Sequence, residues 1–286
     1  MSNLVKYLFD TKAFRICEEN KPFWYTSGKI GPFYINTQFL YGSEQEANDL
    51  LEYINSILSE KTELPTKVFE KVQKQYEENS IYKCTLEELV KSVMENVNVD
   101  EIDYVSGGER RDWFFSNMLA KLLNKKHLTI YKDLTVVESD PDFKENKIVE
   151  NINGAKVLHV ADLVNTASSY ERAWIPVIEK MGGKIICSQV VVDRVQGGKE
   201  IIEKYGIKSL ALINLDNSLF NTAHDLNIIS DSQLELLNNY RKDPDGSMRA
   251  FLVAHPEFLE NALKADEKTI KRAKNCIEND LYGLNK

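Results

Sequence analysis

The sequence predicts an α/β protein: a mostly parallel twisted sheet flanked by helices, with an N-terminal hood, a helical insert and a helical C-terminal extension. Between residues 101 and 215, short β-branched runs alternate with amphipathic runs of helical period, and turns such as Gly182-Gly183 separate them. This alternation is typical of parallel sheets covered by helices. Residues 1–42, about 60–100 and 216–286 lack it. We therefore expect a hood over 1–42, a core over 43–215 that contains the insert, and an extension over 216–286.

The composition argues against several classes of function. The chain has 286 residues, a net charge of −8 and a pI of about 5.3, which disfavours a general nucleic-acid binder. The four cysteines are scattered and no H-E-x-x-H pattern occurs, so we expect neither a disulfide frame nor a protein-held catalytic metal. The sequence shows no signal-peptide pattern and no apolar run of 18 residues. We expect a cytoplasmic protein.

The N-terminal segment predicts a helix followed by an aromatic turn. Apolar residues share one helical face over residues 3–20. Residues 22–36 are rich in aromatics, and Gly28, Gly31 and Pro32 predict a turn that leads into a short strand. This segment is either a core-packing aromatic hairpin or an exposed lip whose Lys29 and Tyr34 face a ligand.

Three helices are expected before the alternating region. Ser43 begins the first, with Glu46 completing a capping box, and Pro65 suits the first turn of the second. Thr85 is expected to begin the third, again with a capping box. The last two carry no evident chemistry, so we interpret them as an inserted helical hairpin for packing or dimerisation.

The remaining elements follow in chain order. Residues 134–150 are polar and form either a hairpin or a mobile flap around Pro141. The helix before Gly182-Gly183 ends there because paired glycines are a C-terminal stop signal. The predicted strands are 102–106, 127–132, 157–160, 184–193 and 207–215, and the predicted helices are 113–123, 169–181 and 198–205.

The stretch 156–169 is the strongest candidate for a functional site. A buried strand ends on Asp162, small polar residues follow, and a helix begins at about Ser169. Such a turn at a helix N-terminus offers backbone N–H groups to an anion, although an ordinary turn capped by Asp162 or Ser168 is an equal alternative. Ligands of parallel sheets bind at the carboxyl ends of the strands. The predicted strand ends carry Asp162, Gly107-Gly108, Lys132 and Arg194.

Three motifs together resemble type I phosphoribosyltransferases, most closely their orotate branch. The first is the strand, Asp162 and small-residue loop of 157–169, which is similar to the family's signature for phosphoribosyl diphosphate (PRPP). The second is Ser27-Gly28 with Pro32-Phe33-Tyr34 close behind, and the third is Asp193-Arg194 followed by Gln196-Gly197-Gly198. The resemblance covers roughly residues 10–215 without the insert. It implies the type I phosphoribosyltransferase fold.

The resemblance also implies an activity and a set of roles. Members transfer ribose 5-phosphate from PRPP to orotate or a related base and release diphosphate, in pyrimidine nucleotide synthesis. Mg²⁺ is carried by PRPP, the chain forms a homodimer, and neither nucleic acid nor membrane is a partner. By position, the implied catalytic residues are Asp162, Lys132 and Arg110; the base site holds Lys29, Phe33, Tyr34 and Arg194; the 5′-phosphate loop is Asn165, Thr166, Ala167, Ser168 and Ser169; and the diphosphate loop adds Gly107, Gly108, Glu109 and Arg111.

Four departures from the family pattern leave three hypotheses open. Ala161 replaces the first of two signature acids, Ala167 replaces a loop glycine, Thr26 replaces a lysine, and residues 133–142 are acidic. The chain is then a divergent orotate-type enzyme, a non-catalytic PRPP- or nucleotide-binding regulatory protein, or a scaffold whose helical additions bind a partner.

Overall fold

The computed structural model of the chain describes residues 2–284 and divides them into two compact units. The sheet unit is Thr37–Asp216. The terminal unit joins the described residues up to Asn36 with those from Asn217 onward. Most of the expected hood thus lies in one unit with the expected C-terminal extension, whereas residues 37–42 of the hood lie with the expected core in the other. None of the helices within residues 2–284 is long and apolar enough to cross a membrane.

The strands lie in both units. In the terminal unit they are short: β1 (Phe14–Ile16), β2 (Phe23–Trp24), β3 (Ile30–Gly31) and β4 (Phe33–Ile35). The sheet unit contains β5 (Tyr104–Gly108), β6 (Lys126–Ile130), β7 (Val136–Ser139), β8 (Asn146–Ile148), β9 (Lys156–Val164), β10 (Lys184–Asp193) and β11 (Lys208–Asn214).

Helices surround the sheet and make up most of the terminal unit. The sheet unit has α2 (Glu44–Ser56), α3 (Leu64–Glu78), α4 (Ser80–Asn96), α5 (Trp113–Leu122), α6 (Ile175–Lys180) and α7 (Gly198–Lys204), with a π-helical turn over Tyr170–Trp174 and 3-10 turns over Thr37–Tyr41 and Val99–Glu101. The terminal unit has α1 (Ser2–Asp10), α8 (Asn217–Asp225), α9 (Asp231–Lys242), α10 (Pro244–Ala254), α11 (Glu257–Ala262) and α12 (Glu267–Glu278).

The sheet unit has the mostly parallel sheet that the sequence predicts. Its strand order is β11-β10-β9-β5-β6-β7-β8. The five strands from β11 to β6 are parallel, and β7 and β8 add an antiparallel hairpin at one edge. The carboxyl ends of β5, β6, β9 and β10 therefore lie along one edge of the sheet. The predicted fold class is confirmed.

Two predicted helix boundaries are wrong. The helix expected over 3–20 ends at Asp10, because Lys12 has a left-handed backbone (φ 59°) and the chain then enters β1. The helix expected to begin at Thr85 begins at Ser80, where Asn79 accepts hydrogen bonds from two backbone N–H groups. Thr85 lies inside that helix. The predicted start at Ser43 is confirmed, because its side chain accepts from the Glu46 N–H.

Residues 134–150 form the hairpin rather than a free flap. The hairpin is anchored on the helical insert: Phe143 is fully buried and stacks on Phe69 with ring centroids 4.4 Å apart. Thr66 donates a hydrogen bond to the Phe143 carbonyl at 2.5 Å, and Lys61 pairs with Asp133. The hydrogen bond from Lys61 lowers the pKa of Asp133 to about 2. The insert thus fixes this acidic segment against the sheet.

Two histidines in the strands of the sheet are buried against hydroxyl groups. His127 on β6 contacts the Ser116 hydroxyl at 2.9 Å, and His159 on β9 contacts Ser106 at 2.9 Å. Both histidines are fully buried. Burial lowers the pKa of each imidazole to about 3, so both are neutral near pH 7.

The free energy of unfolding is expected to fall as the pH drops below about 6.5. The unfolded chain protonates both histidines there, whereas the folded chain does so only near pH 3. In His127→Gln, which removes one titrating group, the fall should be shallower by about 1.4 kcal/mol per pH unit below pH 6. Urea unfolding between pH 7 and 4 measures the two slopes, and parallel slopes would show that His127 does not titrate in this way.

The terminal unit packs the predicted aromatic turn against C-terminal helices. Ile30 lies in a core with Met248, Leu252 and Cys276, and its N–H donates to the Tyr282 hydroxyl at 2.8 Å. A Cβ at Gly28, where φ is 84°, would lie 2.5 Å from Asn275. The left-handed backbone of the turn therefore favours glycine at this position.

Candidate functional site

A cavity of about 400 Å³ opens at the carboxyl ends of β5, β6 and β9. This volume suits a small-molecule ligand. Of the residues singled out from the sequence, ten line it together: Glu109, Arg110, Arg111, Lys132, Asp162, Asn165, Thr166, Ala167, Ser168 and Ser169. The lining also includes Leu51, Asn55, Asp112, Ala161, Tyr170 and Trp174, to which the sequence assigned no ligand.

The small-residue loop 165–169 forms one wall of the cavity. Asn165, Thr166 and Ser168 are exposed, whereas Ala167 is buried with a left-handed backbone (φ 54°). The Arg172 guanidinium donates to the Ser168 carbonyl at 3.1 Å and holds the end of the loop. The loop therefore keeps a glycine-type conformation although alanine occupies the position.

Ala167→Gly is expected to raise the free energy of unfolding by about 0.5–1 kcal/mol. The left-handed conformation costs a residue with a Cβ roughly 1–2 kcal/mol, and glycine removes this cost. Part of the gain is offset because glycine also increases the conformational entropy of the unfolded chain. Chemical denaturation measures the change. A loss of stability would show that the Ala167 methyl contributes more by packing than its backbone costs.

An acidic pair occupies the floor of the cavity. Asp112 is 8% exposed, and its two oxygens accept the backbone N–H groups of Gly108 at 3.0 Å and Asp162 at 2.9 Å. Burial, and then the negative charge of Asp162, raise the pKa of Asp112 well above its usual range. Burial also raises the pKa of Asp162, which the charge of Arg111 opposes. The pair therefore resists carrying two full negative charges.

Three cations, Arg110, Arg111 and Lys132, line the same cavity as this acidic pair. Arg110 donates to the Asn55 side chain, which orients its guanidinium, and the Lys132 N–H donates to Glu109 at 3.1 Å. Arg111 is exposed and acts on Asp162 by its charge. Because the acidic pair does not carry two full negative charges, the positive charges of Arg110, Arg111 and Lys132 make the cavity suitable for a polyanion.

The two predicted loop glycines have packing roles. A Cβ at Gly107 would lie 2.2 Å from the Ser116 hydroxyl, and one at Gly108 would lie 2.2 Å from the Trp174 ring. Trp174 lines the cavity. Glycine at 108 thus lets Trp174 cover the end of β5, while the expected diphosphate contact of both glycines stays a prediction.

The four residues expected at the base site lie outside this lining. Arg194 follows β10, and its N–H donates to the Val164 carbonyl at 3.0 Å, at the same edge of the sheet. Phe33, in the terminal unit, is 7% exposed and stacks on Phe14. Lys29, also in the terminal unit, pairs with Asp245 at 2.7 Å, and Tyr34 there is half-buried. Their roles toward a base stay predictions, and the packing of Phe33 leaves Tyr34 as the more accessible ring.

Two relatives with similar sequences are both named orotate phosphoribosyltransferase. The orotate phosphoribosyltransferase of Pyrococcus horikoshii is 32% identical over 137 residues, which are 47% of this chain and 69% of that protein. The orotate phosphoribosyltransferase of Sulfolobus acidocaldarius is 27% identical over 149 residues, 52% of this chain and 70% of that protein. No family model matches the chain.

Solved structures support the same fold. The orotate phosphoribosyltransferase of Aeropyrum pernix superposes with a TM-score of 0.51 at 19% identity and covers 78% of this chain and 99% of its own. The UMP synthase of Leishmania donovani superposes with a TM-score of 0.55 at 18% identity, over 84% of this chain and 41% of its own. At such identities the likeness shows the type I phosphoribosyltransferase fold.

Proposed function

This chain belongs to the orotate phosphoribosyltransferase family, and from that premise we propose that it transfers ribose 5-phosphate from PRPP to orotate or a related acidic base, with release of diphosphate. The observation that carries the proposal is the single cavity in which Asp162, the loop 165–169 and the cations Arg110, Arg111 and Lys132 meet.

Each part of the cavity suits one part of PRPP. The loop 165–169 would bind the 5′-phosphate through backbone N–H and hydroxyl groups. Asp162 would accept hydrogen bonds from the ribose hydroxyls, and Arg110, Arg111 and Lys132 would bind the diphosphate. A base nitrogen attacks the anomeric carbon as the bond to diphosphate breaks, so charge grows on the leaving group. Stabilising that charge is then the main contribution of Arg110, Arg111 and Lys132.

The oxygen donors of the cavity fit a Mg²⁺ ion that arrives with PRPP. Within residues 2–284 no group of three or more acidic, histidine or cysteine side chains could hold a metal. Mg²⁺ is commonly bound by one or two carboxylates together with substrate phosphates. Asp162 and Glu109 would supply such carboxylates, and the ion would neutralise diphosphate charge.

Arg194 is the proposed partner of the base carboxylate. A guanidinium matches a carboxylate with two parallel hydrogen bonds, and Arg194 lies at the carboxyl edge of the sheet. Arg194→Ala should abolish base binding and leave PRPP binding nearly intact. Unchanged base affinity would remove Arg194 from the site.

A regulatory protein that binds PRPP or a nucleotide without turnover is the second candidate. The anchored hairpin 134–150 favours it, because a segment that belongs to the sheet edge and is held by the insert does not close over the cavity to supply cations. Ala161 in place of a signature acid favours it as well.

Calorimetry combined with a turnover assay separates the two candidates. The full chain is titrated with PRPP in Mg²⁺ and in EDTA, and the same sample is assayed for orotate consumption. The proposed enzyme binds PRPP in Mg²⁺ and consumes orotate. Binding without turnover, with orotate and with other acidic bases, identifies the regulatory protein. Absence of binding to PRPP and to any nucleotide refutes both candidates.

A further inference from the structure

The carboxyl ends of β5 and β9 separate, and Asp112 spans the gap. Backbone pairing between these strands ends at Ser106 and His159, whereas β5 continues to pair with β6 up to Gly108. The Asp112 carboxylate bridges the opening by accepting the N–H groups of Gly108 and Asp162. A side chain from the loop of one strand is thus held beside the acid at the end of another.

Asp112 lies where the strand signature lacks an acid. Residue 161, next to Asp162 in the chain, is alanine, is 3% exposed and lines the cavity, as Asp112 does. A carboxylate has about four lone-pair sites, and the two backbone N–H groups occupy only two of those on Asp112. The Asp112 side chain also hydrogen-bonds to that of Asp162, and because Asp112 lines the cavity, a lone pair remains for a hydroxyl donor there.

We infer that Asp112 is the second carboxylate of the ribose site, and that together with Asp162 it accepts the vicinal hydroxyl groups of the sugar of PRPP. This inference rests on the proposed function. It accounts for Ala161, since a carboxylate from the neighbouring loop replaces the absent one. It also explains why residue 112 is an acid, since a residue that only bridged the two strands would not need to be one.

A comparison of two sugar phosphates tests this contact. Calorimetry measures the affinities of the full chain and of Asp112→Asn for ribose 5-phosphate and 2-deoxyribose 5-phosphate. The full chain should prefer ribose 5-phosphate by about 10-fold or more, because a hydrogen bond to the negatively charged Asp112–Asp162 pair is lost with the hydroxyl. In Asp112→Asn the preference should shrink to about 3-fold or less. If both affinities fall by the same factor, or the preference is unchanged, Asp112 serves only as a clamp and the inference is wrong.

Ala161→Asp tests the role of Asp112 independently, and it can be used if Asp112→Asn does not fold. If Asp112 already completes the pair, a third carboxylate adds repulsion and lowers PRPP affinity. If the site has Asp162 alone, the new acid restores the signature and raises PRPP affinity, which overturns the inference. In the double variant Asp112→Asn, Ala161→Asp, PRPP affinity should recover relative to Asp112→Asn. If Asp112 only holds the two strands together, an acid at position 161 does not replace that contact and the affinity should not recover.

The result for the unaltered chain separates the two proposals. If the unaltered chain binds neither PRPP nor ribose 5-phosphate, both the proposed function and this inference are wrong. Binding with a preference for ribose that Asp112→Asn retains refutes the inference about Asp112 alone.

Discussion

Replacing Arg110 and Arg111 together by alanine is expected to lower kcat/KM for PRPP by about 10³–10⁴-fold. Both side chains line the cavity, and Asn55 orients the guanidinium of Arg110. A single group that stabilises developing charge is worth about 10²–10³-fold, and two groups on one leaving group contribute less than the product of their separate effects. Arg111 has a second effect, because its charge lowers the pKa of Asp162. Loss of Arg111 should therefore raise the pKa of Asp162 and shift the appearance of activity to higher pH.

Steady-state rates against PRPP concentration, at several pH values, measure both effects. Lys184→Ala is the matched control, because Lys184 is an exposed cation at the first residue of β10, at the amino end of a parallel strand. We expect its kcat/KM to change by less than about twofold. If the double arginine variant behaves like Lys184→Ala, the diphosphate is not bound by this loop.

Gly198→Ala is expected to distort the loop 165–169 and to weaken the binding of PRPP by about 10-fold or more. A Cβ at residue 198 would lie 2.4 Å from the Asn165 carbonyl oxygen and 2.7 Å from the Val164 side chain. No L residue fits there unless the loop moves, and overpacking of this kind costs about 1–3 kcal/mol in the free energy of unfolding. Because the moved carbonyl belongs to the first residue of the phosphate loop, affinity should fall with stability.

Gly197→Ala is the control for Gly198→Ala. Gly197 precedes it with a left-handed backbone (φ 88°), and a Cβ there meets nothing within 4 Å. It should cost about 1 kcal/mol of backbone strain and leave PRPP affinity within a few-fold. Thermal unfolding and PRPP calorimetry on both variants make the comparison. Equal affinities in the two variants would mean that Gly198 does not set the position of the loop.

Local patterns were sufficient to predict the sheet, and together with the family resemblance they singled out ten residues that line one cavity. Strand–helix alternation specifies parallel strands, and parallel strands bring their carboxyl ends to one edge, so Asp162 and Arg110 meet although they are distant in sequence. Asp112 was missed because, as the residue before a helix, it has the pattern of an ordinary N-cap. Its contact with Asp162 depends on the separation of β5 from β9, which no local pattern encodes.

The errors in the predicted helices and the open choice at 134–150 have a common cause. Periodicity continues past Asp10, but Lys12 adopts a left-handed backbone and the following residues pair with β4. The choice between hairpin and flap depends on the stacking of Phe143 on Phe69. Tertiary contacts of this kind override local propensity, and a single sequence does not display them.

Formation of product from PRPP and orotate tests the central claim most directly. The purified full chain is incubated with PRPP, orotate and Mg²⁺, and loss of orotate absorbance is followed while orotidine 5′-phosphate and diphosphate are quantified. The account predicts loss of orotate with one nucleotide and one diphosphate formed for each orotate consumed, and loss of this activity in Asp162→Asn. The absence of nucleotide, with orotate and with other acidic bases, from a protein that demonstrably binds PRPP would contradict it, as would equal activity in Asp162→Asn.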